Sequence, residues 1–285
     1  MDNINGLPDD LLVKILLFVP TKVAVSTAVL SKRWEFLWML LPKLEFICPS
    51  QTRVRDFINR KLPLHRAPVI EVLRLHVDCY LYVKPEDVKR WVEVAVSRSV
   101  RELEIVYRTK NKNIIPSSFL SCKSLVTLKL RYMTVMDVPS LDEYGDGFVF
   151  NQLEHLNLCV KKHDLLNLLG KLLKNSPKLR VLDISVELDI DHWDNLNGMV
   201  SCNLPNSVPE CLLSSLQTFK WSRYVGRPRD RDIALYILKN ACHLKTATFL
   251  ALKTNYVPHS EMIIEDLTLS PRASSTCQLS IFVED

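Results

Sequence analysis

The densest group of side chains that could bind a metal ion lies between residues 189 and 194. Asp189, Asp191, His192 and Asp194 offer carboxylates and an imidazole, and oxygen ligands combined with one histidine can hold a divalent cation. The spacing lacks the central glycine and the terminal glutamate of a calcium-binding loop. We therefore expect a solvated acidic loop here, with a cation site as the alternative, and no cofactor.

The other residues with catalytic potential are scattered along the chain. His155 and His163 flank Cys159, but residues in a strand and its following turn need not converge, and packed or surface histidines are common. The sequence has no Gly-x-Ser-x-Gly elbow, His-Glu-x-x-His helix, Walker loop or dinucleotide fingerprint. We predict a protein that is not an enzyme, because a hydrolase would require the loop at 189–194 to converge with a distant nucleophile.

Cysteine spacing and hydropathy predict a protein of the cytoplasm, the nucleus or both. The 8 cysteines include no Cys-x-x-Cys pair, so neither a zinc knuckle nor a redox motif is expected. The N-terminus carries acids where a secretory signal has basic residues, and free thiols are typical of a reducing compartment. No stretch approaches the ~18 apolar residues of a membrane span.

The net charge does not predict a nucleic-acid partner. The chain has 37 Lys and Arg for 32 Asp and Glu, and they are spread rather than clustered, whereas nucleic-acid binding requires a basic patch. One basic turn contains Arg223, Arg227, Arg229 and Arg231, interrupted by Asp230. We expect a solvated turn there, with an acidic partner or nuclear import as the alternatives.

Three short helices are predicted within the first forty residues. Pro8 and the acids after it begin a helix that Pro20 ends, Thr21 can cap a second helix, and Ser31 can cap a third that stops before Pro42. Apolar residues recur at helical spacing at Leu12, Ile15, Leu16, Val19, Trp34, Leu37, Trp38 and Leu41. More apolar residues lie outside these stripes. Because so short a segment buries little surface alone, it must pack on the rest of the chain or on a partner.

The remainder of the chain repeats an apolar-x-x-apolar-x-apolar template, which is typical of stacked strand-and-return units. Its copies begin at Ile70, Val100, Leu125, Leu153, Leu179, Leu216 and Leu244. Helical spacing marks the returns Pro85–Arg98, Asp164–Asn175 and Asp230–Ala241, whereas Met133–Asn151 is predicted to be a loop. A closing strand is expected near Leu279–Val283. The Asn or Cys ladder of the leucine-rich-repeat consensus is absent, so the pattern predicts a short degenerate leucine-rich-repeat solenoid with a parallel sheet.

The two ends of the chain resemble a known family. The N-terminal match consists of the run from Gly6 to Leu16, then Pro20-Thr21-Lys22, the run from Val29 to Trp34, and Leu37-Trp38. This pattern resembles an F-box, and segments within 207–216, 236–247 and 270–279 resemble the FBD region. The chain as a whole resembles the plant F-box proteins with leucine-rich repeats, an α/β fold with a three-helix F-box at the N-terminus.

This resemblance implies a substrate-recognition subunit of an SCF-type, cullin-RING ubiquitin ligase. The F-box would bind a Skp-family adaptor and, through it, the cullin and RING subunits, while the repeats would bind an unknown target protein. The adaptor contacts implied are Leu7, Pro8, Leu12, Ile15, Leu16, Trp34, Leu37 and Trp38. The alternative is a stand-alone or shortened solenoid that occupies the adaptor without recruiting a target.

The same resemblance implies three domains. Residues 1–46 form the F-box, residues 47–205 the degenerate repeats, and residues 206–285 the FBD region, which continues and caps the solenoid. Relatives usually have more strand repeats at the position of residues 133–151, so the solenoid is expected to be shortened there. Repeats contact only their neighbours, so loss of whole units is compatible with folding.

Overall fold

The computed structural model describes residues 4–48, 53–77, 83–107, 119, 122–133, 149–187, 207–252 and 265–284. The chain divides into two compact units, unit 1 with residues 1–125 and unit 2 with residues 126–285. The candidate metal loop at 189–194 and most of the predicted loop at 133–151 lie outside the described residues.

Unit 1 begins with the predicted three helices, which are α1 (Asp9–Leu16), α2 (Thr21–Ser26) and α3 (Trp34–Leu37). The predicted caps are wrong. Pro20 precedes α2 in extended conformation, so Thr21 is the first helical residue, and its Oγ1 accepts a hydrogen bond from the backbone N–H of Glu45 at 2.8 Å. Arg33 rather than Ser31 precedes α3, and neither helix has a side-chain cap. Thr21 therefore ties α2 to the strand that follows.

The rest of the described part of unit 1 contains three parallel strands and two helices. These are β1 (Lys43–Cys48), α4 (Arg53–Lys61), β2 (Val72–Val77), α5 (Pro85–Ser97) and β3 (Glu102–Tyr107). β2, β3 and α5 confirm the predictions. β1 was not predicted, although Leu41, Leu44 and Phe46 fit the same apolar template and are buried. β1 ends at Cys48 and pairs with β2, and the domain boundary expected at residue 46 stays a prediction.

Unit 2 continues the alternation of strands and helices. Its strands are β4 (Thr127–Met133), β5 (His155–Lys161), β6 (Val181–Glu187), β7 (Thr218–Tyr224), β8 (Thr246–Leu252) and β9 (Gln278–Glu284). Each pairs in parallel with the next. The helices are α6 (Lys162–Lys174), α7 (Glu210–Ser214) and α8 (Pro228–Asn240). The predicted strands, the closing strand and both long helices are confirmed.

The register explains the apolar template. The second apolar position of each copy forms one buried row, in which Leu128 pairs with Leu156, and the third position forms the next row. Alternate residues of a strand point to opposite faces of a sheet, so the residues between these positions lie on the other side. Direct pairing of Leu128 with Leu156 also confirms that β4 and β5 are neighbours, as the prediction of a shortened middle requires.

Candidate functional site

The predicted site residues fall into two groups in unit 1. Five of the eight are buried, and they form the core of the helical segment: Leu12, Leu16, Trp34, Leu37 and Trp38. Pro8 and Ile15 are exposed and Leu7 is half-buried. A buried side chain cannot touch a partner that docks on this conformation, so these five residues belong to the core of the segment.

A second set of apolar residues in the same segment is exposed to solvent. Phe18, Val29 and Leu30 are 90%, 87% and 65% exposed. We use the name docking surface for nine of the exposed apolar residues of this segment, which are Leu11, Ile15, Phe18, Val19, Val23, Val29, Leu30, Phe36 and Leu40. Groups of exposed apolar side chains are typical of surfaces that bind a partner.

Sequence reasoning missed most of the docking surface because two apolar stripes share α1. Leu12 and Leu16 are four residues apart and buried, while Leu11 and Ile15 have the same spacing and are exposed. Periodicity identifies both stripes without saying which one faces the core. The signal that pointed to a partner was the surplus of apolar residues outside the stripes.

Arg33 fixes the start of α1 against the residues that precede α3. Its Nη2 lies 2.6 Å from Asp9 Oδ1, its Nε donates to the same oxygen at 2.8 Å, and Nη2 also donates to the carbonyl of Leu7 at 2.5 Å. A guanidinium suits this role because its donors are held in a rigid fork. The Leu7-Pro8 turn is thereby held in a fixed orientation.

Backbone hydrogen bonds join the helical segment to the first strand repeat. The carbonyl of Met39 accepts from the N–H groups of Arg66 and Ala67 at 2.8 and 3.0 Å. His65 Nε2 donates to the carbonyl of Leu41 at 2.8 Å. Burial lowers the pKa of His65, and the neutral ring leaves a buried Nδ1 without a partner among the described atoms. The docking surface is therefore carried by a segment that belongs to the core of unit 1.

The strand face of unit 1 that is opposite its core carries charges that pair with one another. Arg74 forms salt bridges with Glu45, Glu102 and Glu104 at 2.5, 3.0 and 3.4 Å. Lys43 lies 3.1 Å from Glu45. Burial opposes ionisation of Glu45, but the hydrogen bonds and charges of Lys43 and Arg74 give that carboxyl a lowered pKa. These cations are occupied by carboxylates of the same face.

The basic turn is partly helical and not simply solvated, which corrects the sequence expectation. α8 begins at Pro228 and includes Arg231, whose Nη2 lies 2.9 Å from Asp266 Oδ1. Burial lowers the pKa of Arg227. Arg223 is exposed and has a φ of 58°. Arg231 is therefore engaged within unit 2.

The remaining candidates for chemistry do not form a site in the described part of the chain. His155 is exposed and Cys159 is buried, and four residues along one strand separate them by about 13 Å. Among the residues searched, no group of three metal-ligating side chains occurs. No helix among the described residues has the length and apolar character needed to cross a membrane.

The chain combines short helices that expose apolar side chains with parallel strand repeats, and comparison with known families identifies the class as an F-box protein with leucine-rich-type repeats. The F-box domain family matches residues 4–46, the family described as "FBD-associated F-box protein At5g56370, LRR repeats" matches 88–204, and the FBD family matches 203–249. F-box and repeat domains together imply a substrate-adaptor type of role in an SCF ligase.

Similar Arabidopsis thaliana proteins match over the whole chain. The putative FBD-associated F-box protein At5g38570 is 45% identical, covering 100% of both chains. The FBD-associated F-box protein At5g38590 is 40% identical, covering 95% of this chain and 99% of its own, and At4g10400 is 40% identical, covering 98% and 100%. The chain belongs to the FBD-associated F-box family.

The alignment with At5g38570 shows that this relative is longer than the present chain. Its 386 aligned positions exceed the 285 residues of this chain by 101, although all residues of both proteins are covered. The relative therefore has segments without a counterpart here. That they fall near residues 133–151 stays a prediction.

Proposed function

We propose that this protein is the substrate-recognition subunit of an SCF-type ubiquitin ligase of the cytoplasm or nucleus. The helical segment binds a Skp-family adaptor, which connects it to the cullin and RING subunits, and the strand repeats bind a target protein. The protein itself catalyses nothing, because the ligase supplies the ubiquitin-loaded enzyme and the receptor supplies proximity. The observation that carries the proposal is the docking surface on an F-box.

The exposure of the docking surface supports adaptor binding quantitatively. Complete burial of a Leu, Val or Phe side chain contributes about 1.5–3 kcal/mol, so Phe18, Val29 and Leu30 alone could supply several kcal/mol. Association must first offset lost translational and rotational freedom, which a surface of nine apolar residues can do. The eight residues implied by the family resemblance then have two roles. Leu7, Pro8 and Ile15 can contact the adaptor, and the five buried ones maintain the surface.

The test is calorimetric titration of the purified chain with a Skp-family adaptor. Leu30→Ala removes an exposed docking side chain, and we expect binding to weaken about tenfold, since about 1.4 kcal/mol corresponds to a factor of ten. Leu269→Ala is the matched control, because Leu269 is 75% exposed but lies in unit 2. Equal affinity of the Leu30 and Leu269 variants would contradict the docking assignment.

Trp34→Ala tests the folding of the helical segment rather than direct contact with the adaptor. Trp34 is buried, and removing a buried tryptophan costs about 3–5 kcal/mol of folding free energy. We therefore expect that variant to lose adaptor binding together with the circular dichroism of the helical segment. Leu30→Ala should keep that signal.

The extra segments of the relative favour a second candidate, a shortened receptor that occupies the adaptor without presenting a target. Both candidates predict adaptor binding. They differ in whether degradation of any protein depends on this chain. Quantitative proteomics comparing wild-type protein with a Phe18→Ala, Leu30→Ala variant would show stabilised proteins for a receptor, and none for a protein that only occupies the adaptor.

A further inference from the structure

Residues 62–69 lie outside the range 4–46 that matches the F-box family, yet they are bonded directly to the F-box. The carbonyl of Met39 accepts a hydrogen bond from the backbone N–H of Arg66 at 2.8 Å. We call residues 62–69 the rim segment. It is fixed beside the last turn of the F-box helices, next in sequence to Leu40 of the docking surface.

His65 sets the direction in which its two neighbours in the rim segment point. Its own side chain is buried, with Nε2 2.8 Å from the carbonyl oxygen of Leu41, and its backbone is extended, with a φ of −62° and a ψ of 137°. Because successive residues of an extended backbone point to opposite sides, Leu64 and Arg66 point away from the core. Both are exposed, Leu64 by 47%. The rim segment thus presents one apolar side chain and one cation to solvent.

The guanidinium of Arg66 lies on a side chain of the docking surface. Its central carbon is 5.3 Å from the ring centroid of Phe36, within the about 6 Å at which a cation and an aromatic ring attract each other. Phe36 is itself 44% exposed. Arg66 forms no salt bridge with any described residue, whereas Arg33 and Arg74 of the same unit are bound by carboxylates. A partner that covers Phe36 therefore also reaches a cation that has no counter-ion in the described part of the chain.

The charges of the F-box favour a partner that brings carboxylates. Outside the salt bridges of Arg33 and Lys43, its described residues carry exposed charges at Lys14, Lys22, Lys32, Asp10 and Glu35. Arg66 adds to this small excess of cations. Lys14 shares the exposed side of α1 with Leu11 and Ile15, since residues three and four apart lie on one face of a helix. Carboxylates on the partner would complement these cations.

We propose that the adaptor interface extends beyond the F-box onto the rim segment, where Arg66 binds a carboxylate of the Skp-family adaptor. This inference rests on the proposed adaptor binding and names a contact outside the F-box. A guanidinium can donate two parallel hydrogen bonds to one carboxylate. Stacking on Phe36 restricts the guanidinium in the free protein, so less side-chain freedom is lost on binding. Leu64 adds apolar area to the same contact.

The experiment is calorimetric titration of the full chain with a Skp-family adaptor at about 50 mM and at about 300 mM salt. Arg66→Gln should weaken binding about fivefold at the lower salt concentration and less at the higher one, because salt screens an ion pair. Arg66→Met can still pack on Phe36 without a charge and should behave like Arg66→Gln. Leu64→Ala should weaken binding about threefold at both concentrations. Arg101→Gln is the matched control, because Arg101 is an exposed cation of unit 1 with no salt bridge to a described residue.

The inference is overturned if Arg66→Gln or Leu64→Ala binds as tightly as Arg101→Gln. Arg66→Met with unaltered affinity would also overturn it, because the arginine would then only shield Phe36. A loss in Arg66→Gln that is equal at both salt concentrations would exclude a carboxylate partner. Leu30→Ala in the same titration separates the two proposals. Absence of binding by the unaltered chain refutes adaptor binding itself, whereas weaker binding of Leu30→Ala beside unchanged Arg66 variants refutes only the extension.

Discussion

The carboxylate of Asp87 joins α4 to α5, and its removal tests how unit 1 is held together. Its side chain is 2% exposed. Oδ2 accepts from Arg55 Nε at 2.6 Å and from the backbone N–H of Lys84 at 3.1 Å, and Oδ1 accepts from Asn59 Nδ2 at 3.4 Å. Asn59 Oδ1 in turn accepts from Trp91 Nε1 at 2.8 Å. One buried acid thus caps α5 and holds the helix before it.

We expect Asp87→Ala to lower the free energy of unfolding of unit 1 by about 2–3 kcal/mol. Loss of a helix cap costs about 1 kcal/mol, and hydrogen bonds to a charged group contribute more than neutral ones. Arg55 is a third exposed and can turn to solvent, so we expect a cost below the about 3–5 kcal/mol of breaking a fully buried pair. Glu86→Ala is the matched control, because Glu86 is an exposed acid in the same first turn.

The assay is urea unfolding, with hydrogen exchange of the α4 and α5 amides as the local measurement. Burial opposes ionisation of Asp87, but Arg55, Lys84 and Asn59 together lower its pKa. Its contribution is therefore present above the unfolded pKa of about 3.9 and is lost as the pH falls through the lower folded value. Equal unfolding midpoints for the Asp87 and Glu86 variants at neutral pH would refute this account.

Three further predictions concern single residues. Burial lowers the pKa of His65, so below about pH 6.5 the unfolded chain binds more protons than the folded chain, and the free energy of unfolding should fall there. In His65→Gln, the urea midpoint should therefore vary less with pH between 5 and 7. Arg223 has a φ of 58° in a strand bulge, so Arg223→Gly should raise the melting temperature by relieving up to about 1 kcal/mol of strain, whereas Arg223→Ala should not. Burial raises the pKa of the Cys211 thiol to about 12, so in native protein iodoacetamide at pH 8 should modify exposed Cys242 first, as mass spectrometry would show.

The strand repeats could be predicted from sequence because their pattern depends on one physical rule. Parallel strands in register bury the same two positions in every copy, so the template reappears whatever the intervening residues are. β1 was not predicted because Pro42 lies inside its copy of the template, and a proline at that position also indicates the end of a helix. Backbone pairing with β2 makes this segment a strand. The pairing partner of a segment cannot be predicted from its local pattern.

The bulges of β4 and β7 were not predictable for a different reason. Tyr132 and Arg223 have φ values of 59° and 58°, a conformation that normally indicates glycine. At the second bulge the extra residue turns Arg223 to solvent and Tyr224 inward, where its ring packs 5.2 Å from Trp221 and 5.1 Å from Phe249. Burial of an aromatic ring outweighs about 1–2 kcal/mol of backbone strain. Tertiary packing therefore overrides the local preference.

The pairing of β4 with β5 bears on the predicted loss of repeats near residues 133–151. Leu128 and Leu156 pair in the same register that joins every later pair of strands in unit 2, so no strand edge is left open between them. The relative's 101 additional aligned positions correspond to about four repeats at the usual length of 20–29 residues. Removal of whole repeats between β4 and β5, as predicted, would leave the docking surface of unit 1 unchanged, because each repeat contacts only its neighbours. Such a removal would bring different strands into contact, so the side chains on the exposed face of the unit 2 sheet would differ from those of the relative, while the exposed apolar residues of unit 1 would stay the same.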